Sequence, residues 1–440
     1  VGIIDYFLSL GSTVFVPLVL IVIGIALGQG VLRSIRSAIT VGIGFIGLNL
    51  AISLISNTLE PAVSKIVERF SIDLTVIDIG SGAAAGVAFS SVVGALIIPA
   101  VFILNVLLLV IGFTKTMNID IFNYSHYAFT GAVVHLMTGS IVIAMGASLI
   151  QATWSLLSAD YSANQVQEAL GVEGISIPQG YAASTVPIFT ALDKIYNRIP
   201  FLRDSKLDLS HLQQRIGMFG DPVIIGAALG TILALLAGYN FVDGANLLMG
   251  VVAIMVLFPR MVKIIVEGLL PISESAKIFF NKHFKGKEVF IGLDSALTLG
   301  LPTTQIVGTM LIPVTLILAV ILPGNKVLPL GDLAFAAFFT CMATIIHKGN
   351  ILKTIISGVI NMAIILYIST WFAQYFTKLA ANSGAVGIKG ETTALWNGNI
   401  FDLIIAKLGS FGVIGIVILI IITIPIGLYV KKVTASQKAV

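Results

Sequence analysis

Charge is what this sequence has least of. Asp, Glu, Lys and Arg make up 10% of the 440 residues, against about 25% in a soluble domain. That shortage excludes a fully solvated surface, and a mean hydropathy of +1.03 points instead to an integral membrane protein. Cysteine is nearly absent. The single one, Cys341, lies in an apolar segment, which excludes an intramolecular disulfide and a Cys-based metal site and leaves it as a small packing residue. No metal or cofactor is expected. The net charge of +4 is no nucleic-acid signal, because the basic residues fall in short stretches between apolar runs. The first residues show neither a basic n-region nor a small-residue cleavage site, so no signal peptide is expected.

Long apolar runs are what the chain has in plenty. A bilayer-spanning helix needs about 20 such residues. Candidates are 13–27, 39–59, 92–113, 140–157, 222–238, 245–258, 305–322, 351–376 and 403–430, with shorter runs at 122–138 and 333–346. The expectation is an all-α membrane protein of about 11 transmembrane helices. The stretches 74–91 and 289–304 are too rich in Gly, Ala, Ser and Thr for simple spans. They read as two re-entrant hairpins, which a membrane protein tolerates where they are packed in protein or line a cavity. Arg33 and Arg36 follow the first run, and Lys194, Arg198, Arg203, Lys206 and Arg215 crowd 159–217. With Lys431 and Lys432 near the end, the positive-inside rule puts the N-terminus outside and the C-terminus in the cytoplasm.

The hairpin stretches match each other. "TVIDIGSGAAAGVAFSSVVGALIIP" (75–99) and "VFIGLDSALTLGLPTTQIVGTMLIP" (289–313) share a small-residue patch, a "VG" pair and a closing "IP". Asp120 and His135 are 15 residues apart, as are Asp332 and His347, and Glu60-Pro61 corresponds to Leu270-Pro271. This predicts two halves of five spans plus one C-terminal span. Five is odd, so the halves are inverted. Inverted repeats with paired hairpins mark alternating-access transporters. A channel would need a ring of charges or a carbonyl filter, and neither pattern is present.

Asp294 is the one carboxylate in the second hairpin, with no Lys or Arg from 289 to 313. An acid at membrane depth costs a few kcal/mol at least, so it is kept mainly where it binds something. Asp78 lies at the near-equivalent place. The plainer reading of both is a cap on backbone N–H groups. His126, in the polar "NYSH", is a ligand or a helix-end histidine. His135 and His347 read as helix-end or interfacial, His211 and His283 as surface. Glu173, before "IPQG", is placed at an inward exit. "GSGAAAG" (80–86) lacks the "GK[ST]" of a phosphate loop. Acids, His, Gln and Thr without a basic cluster suit a neutral polyhydroxylated substrate. Asp294 would also serve as general base if it faced the reacting hydroxyl.

Further stretches carry a resemblance: "GIGFIGLNL" (42–50), "NIDIFNYSHYAFTGAVVHLMTGS" (118–140), "EGISIPQG" (173–180), "FGDPVIIG" (219–226), "FIGLDSAL" (290–297), "LPGNKVLPLGDLA" (322–334) and "HKGN" (347–350). Together they cover nearly the whole chain in order. The chain resembles the permease subunit, enzyme IIC, of the bacterial phosphotransferase system (PTS), galactitol type, in the ascorbate–galactitol superfamily. The resemblance implies a homodimeric elevator-type transporter in the cytoplasmic membrane. It would work with separate IIB and IIA proteins and release its sugar or polyol inside as the phosphate. The permease itself would not be the phosphoryl donor.

The implied organisation is a scaffold part of the first repeat at 1–60 and a core part with the first hairpin at 61–158. A cytoplasmic connection follows at 159–218, then scaffold at 219–270, core at 271–376, and a C-terminal span and tail at 377–440. Ligands implied by position are His126, Thr130, Gln179, Asp294 and the first hairpin around Asp78 and Gly80. Gln179 stands where galactitol-type relatives usually show His; an amide bonds a polyol but takes up no proton. The competing reading is an ion-coupled secondary transporter of a sugar or small organic acid, with Asp294 or Asp78 as the proton or sodium site.

Overall fold

The computed structural model describes residues 12–70, 74–203, 205, 222–283, 289–329, 331–383 and 390–436. Lys206, His211 and Arg215 of the connecting segment lie outside the described residues. The first half runs α1 (Ser12–Ala26), α2 (Val31–Phe70), β1 (Val76–Asp78), α3 (Ser81–Phe89), α4 (Val92–Val110), β2 (Thr116–Asn118), α5 (Tyr124–Thr138), α6 (Ile141–Leu170), β3 (Ile175–Ser176) and α7 (Gly180–Tyr196). A short helix, α8 (Pro200–Arg203), follows. The second half runs α9 (Pro222–Ala237), α10 (Phe241–His283), β4 (Phe290–Gly292), α11 (Pro302–Ile321), β5 (Val327–Leu328), α12 (Cys341–Ile346), α13 (Ile351–Asn382), β6 (Glu391–Thr393) and α14 (Ile400–Gly409). The last helix is α15 (Val413–Ser436).

Local chemistry sets these boundaries. Ser91 Oγ accepts from Gly94 N at 2.9 Å to start α4, and Asn350 Oδ1 accepts from Lys353 N at 3.0 Å to start α13. Gly139 and Gly171, both left-handed, end α5 and α6.

Five helices among the described residues are long and apolar enough to cross a membrane: α4, α6, α11, α13 and α15. Two shorter apolar stretches, 226–237 and 241–254, add to them. The protein is thus a mostly helical membrane protein, and several expected boundaries move. The expected span 39–59 does not stop there: α2 continues as helix through Pro61 to Phe70. The expected span 245–258 likewise continues as helix to His283. Each long helix has the other to pack on, and such packing sustains helix where polar residues would end it. The expected span 333–346 is two 3₁₀ turns and the six-residue α12. The expected span 403–430 breaks between α14 and α15, where Gly412 has φ +70°.

The all-α expectation also missed two small parallel sheets. In one, β1 lies between β5 and β6; in the other, β4 lies between β2 and β3. Strands of two or three residues leave no periodicity to read. β1 and β4 each pair only with strands of the other half of the chain, so their backbone groups are satisfied inside the protein. The crossing is tight: a Cβ on Gly331 would lie 2.2 Å from Gly80 N, and Gly80 itself has φ +84°. Only glycine fits both places.

Candidate substrate site

The register of the second sheet builds the site. Asn118 of β2 pairs with Gly292 of β4, side by side and parallel. Two residues further along each strand stand Asp120 and Asp294, whose carboxyl groups lie against each other. Asp294 Oδ1 accepts from Ala296 N at 2.7 Å and starts the turn Ser295–Gly300. Asp120 Oδ2 accepts from Asn123 Nδ2, while its Oδ1 receives no donor from the protein. No cationic group bears on either acid among the described residues.

The first sheet contains a second acid pair. Asp78 Oδ1 accepts from Gly80 N and Leu395 N, and Oδ2 accepts from Asp332 N at 2.8 Å. Asp332 accepts in turn from Ser81 N at 2.6 Å and Trp396 N at 2.8 Å. Backbone donors thus occupy this pair, and it clamps the first hairpin to the second half. The first pair keeps an open oxygen.

One helical turn past Asn123 comes His126, fully buried on α5. Its Nε2 lies 3.4 Å from Gln179 Nε2. The Gln179 oxygen is taken, accepting from Ala182 N at 2.5 Å as the cap of α7. The amide therefore donates to His126 Nε2, and the imidazole proton sits on Nδ1, which has no partner. The ring stacks on Trp396 with centroids 4.9 Å apart. Tyr181, Phe335 and Phe338 surround the same indole. Thr130, one further turn along α5, is fully buried beside Asp402 of α14.

Orphaned polar atoms gather around these side chains. Besides Asp120 Oδ1 and His126 Nδ1 they include Asn123 Oδ1, Ser125 Oγ, Thr130 Oγ1, Gln151 Oε1, Trp396 Nε1, Asn397 Nδ2, Asn399 Nδ2 and Asp402 Oδ2. Native interiors leave few such atoms unmatched, and clusters of them mark places where water or ligand completes the bonding.

Of the residues expected from sequence, Asp294, His126, Thr130 and Gln179 belong to this neighbourhood. Asp78 and Gly80 belong to the backbone-occupied clamp. Glu173 is exposed on the turn before β3, away from the buried groups. Sequence reasoning missed Asp120 as the partner of Asp294, although the Asp120/Asp332 match was visible. It also missed Trp396, Asn397, Asn399, Asp402 and Gln151. The signal for most of these was "WNGN", which occupies in the second half the place of "IPQG" in the first: each joins a short strand to a helix.

His347 stands at a helix end as expected, closing α12, but is buried rather than interfacial. Its Nδ1 lies 2.9 Å from Asp193 Oδ1 and its Nε2 2.8 Å from Ser357 Oγ. Burial pulls its imidazole below the usual range, opposed by the adjacent Asp193. A cavity of about 270 Å³ opens nearby, lined by Gln165, Glu168, Leu301, Pro302, Thr303, Thr344, Lys348 and Gly349. Among the described residues no group of His, Cys, Asp and Glu is arranged to hold a metal ion.

The model of one protein family, EIIC-GAT, the PTS system sugar-specific permease component, matches residues 6–386. The chain belongs to this family. It is 52% identical over 435 residues to a protein of Escherichia coli strain K12 named "Putative permease IIC component", covering 98% of this chain and all of that one. It is 37% identical over 393 residues to the PTS system galactitol-specific EIIC component of the same strain, covering 89% of this chain and 87% of the relative. The protein is therefore a multi-pass PTS permease of the bacterial cytoplasmic membrane and a transport subunit. A sugar-type substrate and PTS IIB and IIA partners follow from the family.

Proposed function

We propose that this permease carries a polyol or sugar of galactitol type and delivers it for phosphorylation by IIB. The observation that carries this reading is the set of buried, unpartnered donors and acceptors around Asp294, Asp120 and His126, with no cation among the groups bearing on the acids. Neutral hydroxyls both donate and accept and would fill such a set; a phosphorylated substrate would call for Lys or Arg. In this reading Asp294, His126, Thr130 and Gln179 contact substrate. Asp294 is also the candidate base for the hydroxyl that receives the phosphoryl group.

The alternation of two matching halves, each lending a hairpin strand to the other's sheet, supports an inverted repeat. The same pattern supports an elevator in which the hairpins move with the core while α1, α2, α9 and α10 form a fixed wall in a homodimer. The charge distribution supports about 11 spans with the N-terminus outside and the C-terminus inside. The basic residues of 159–217 then give IIB a cytoplasmic surface.

The paired carboxyls Asp120 and Asp294 also support a second reading, ion-coupled uptake, since two adjacent acids can hold a proton or a sodium ion. Vesicles containing the protein separate the two. With phosphorylated IIB inside, galactitol should accumulate as its phosphate. Accumulation of free substrate driven by an ion gradient alone would favour the second reading. Efficient crosslinking between protomers through the two hairpins would contradict the fixed-wall dimer.

A further inference from the structure

We propose that the cavity of about 270 Å³ beside His347 is a second site, one that binds a polyol phosphate, with the phosphate on Lys348 and the start of α11 and the hydroxyls on α6. This rests on the polyol-permease reading above and adds to it a place for the phosphorylated product. Small-molecule sites run from about 300 to 1,000 Å³, so the volume suits one small molecule rather than a protein segment.

One wall offers positive charge and N–H donors. α11 begins at Pro302 with no side-chain cap. Pro302 brings no N–H, and Gln305 N bonds back to Leu301 O. The N–H groups of Thr303 and Thr304 are thus left at an open helix start, where an anion is favoured. Thr303 Oγ1 donates to Gly349 O at 3.1 Å, which holds the Lys348–Gly349 corner against that start. Lys348 is exposed and forms no ion pair among the described residues. Its φ is +53°, and among the described residues it is the one non-glycine in the left-handed region. That place, just past α12, ordinarily goes to glycine. Lys348 N bonds Ile345 O and Gly349 N bonds Thr344 O, so the helix end is closed without the ammonium. Backbone strain of this kind persists where it positions a side chain for use. Thr344 gives an independent sign of a ligand: it lines the cavity, is 3% exposed, and its Oγ1 has no partner.

The α6 wall accepts. Gln165 and Glu168 are three residues apart and share a face of the helix. Gln165 Oε1 has no donor. Hydroxyls would bond both side chains, whereas a bare phosphate ion would be repelled by Glu168. A phosphate monoester carrying hydroxyls meets both walls; inorganic phosphate or the free polyol meets only one. The place also fits a product. The turn Ser295–Gly300 starts on Asp294 and ends on the cavity at Leu301, about 12 Å along at a 3₁₀ rise of about 2.0 Å per residue. Cys341 of α12 bonds Thr298 in that turn, and Thr344 stands three residues further along α12.

Titration calorimetry on the purified full-length protein tests this with galactitol, galactitol phosphorylated at one end, inorganic phosphate, and dispersed phosphatidic acid as a competing lipid headgroup. The wild type should bind the galactitol phosphate at least about tenfold more tightly than inorganic phosphate. Lys348→Gly removes the ammonium and suits the left-handed backbone, so it should fold. It should weaken the galactitol phosphate by about tenfold or more and leave galactitol within about twofold. Gln165→Leu should weaken the galactitol phosphate several-fold and leave inorganic phosphate unchanged. Equal affinity for the two phosphates, galactitol phosphate binding untouched by Lys348→Gly, or displacement by phosphatidic acid at lower concentration than by galactitol phosphate would overturn the site. A wild type that binds galactitol but not its phosphate would overturn it and leave the polyol permease standing. A wild type that does not bind galactitol would overturn the parent reading.

Discussion

His126 of the first half and Trp396 of the second stack with ring planes 28° apart. The imidazole is held from one side by Gln179 and the indole is placed by its own backbone N–H, which donates to Asp332. Each half thus supplies one ring of the stack. Trp396→Leu keeps an apolar side chain but removes the stacking face and the free Nε1 donor. We expect galactitol affinity to fall by about 0.5–1.5 kcal/mol from lost aromatic packing, more if Nε1 bonds substrate. Unchanged affinity in a titration of the folded variant would reduce Trp396 to a core filler.

Gly180 brings α7 tight against His126. A Cβ there would lie 2.7 Å from His126 Cβ and 2.9 Å from its Cγ. Gly180→Ala should therefore destabilise by about 1–3 kcal/mol, the usual cost of overpacking, and push the imidazole off Gln179. Thermal unfolding and substrate titration should both register the change. A variant with wild-type melting and wild-type affinity would show that α5 and α7 have slack at this point.

The His347 junction should respond to acid. Asp193, Lys353, Tyr196 and Ser357 face this imidazole. Burial lowers its folded-state pKa, so the unfolded chain binds more protons wherever His347 stays neutral in the fold. The stabilisation is full above the unfolded value of about 6.5 and is lost as pH falls below it. His347→Gln, which keeps hydrogen-bonding capacity without a titrating ring, should flatten the decline of melting temperature between about pH 6.5 and 5. An identical slope in both proteins would mean that other groups govern the acid limb.

Part of the membrane architecture is legible in the sequence because hydropathy acts over whole spans: α4, α6, α11, α13 and α15 all fall on expected apolar runs. The likeness of 75–99 to 289–313 is visible because it is a residue pattern carried within each stretch. What escaped reading is set by contacts between distant residues. Asp120 became a partner of Asp294 only through the Asn118–Gly292 strand register, and strands this short carry no periodic signal. Asp402 stands at the edge of the apolar run 403–430, and its burial depends on α14 packing against α5 and α6. Asp78 read as lying near the place equivalent to Asp294, yet three backbone donors occupy it.

In the proposed function, binding and chemistry converge on Asp294. Its Oδ1 caps the turn at Ser295–Gly300, which satisfies the plainer reading. A cap alone does not need a second carboxyl beside it, since two like charges in contact repel. The Asp120 neighbour makes sense if hydroxyl or proton donors enter between them. Asp294→Asn keeps the Oδ1 acceptor and the size, so the turn should persist, but removes the charge and any base function. Binding should weaken by about 1.5–3 kcal/mol, the size of a charge-assisted hydrogen bond, and phosphorylation coupled to transport should stop. His126→Ala should also weaken binding, whereas His135→Ala, at the far end of α5, should change affinity little. Titration and vesicle uptake on the same preparations decide the matter: wild-type affinity together with wild-type turnover in Asp294→Asn would leave the acid as a cap and nothing more.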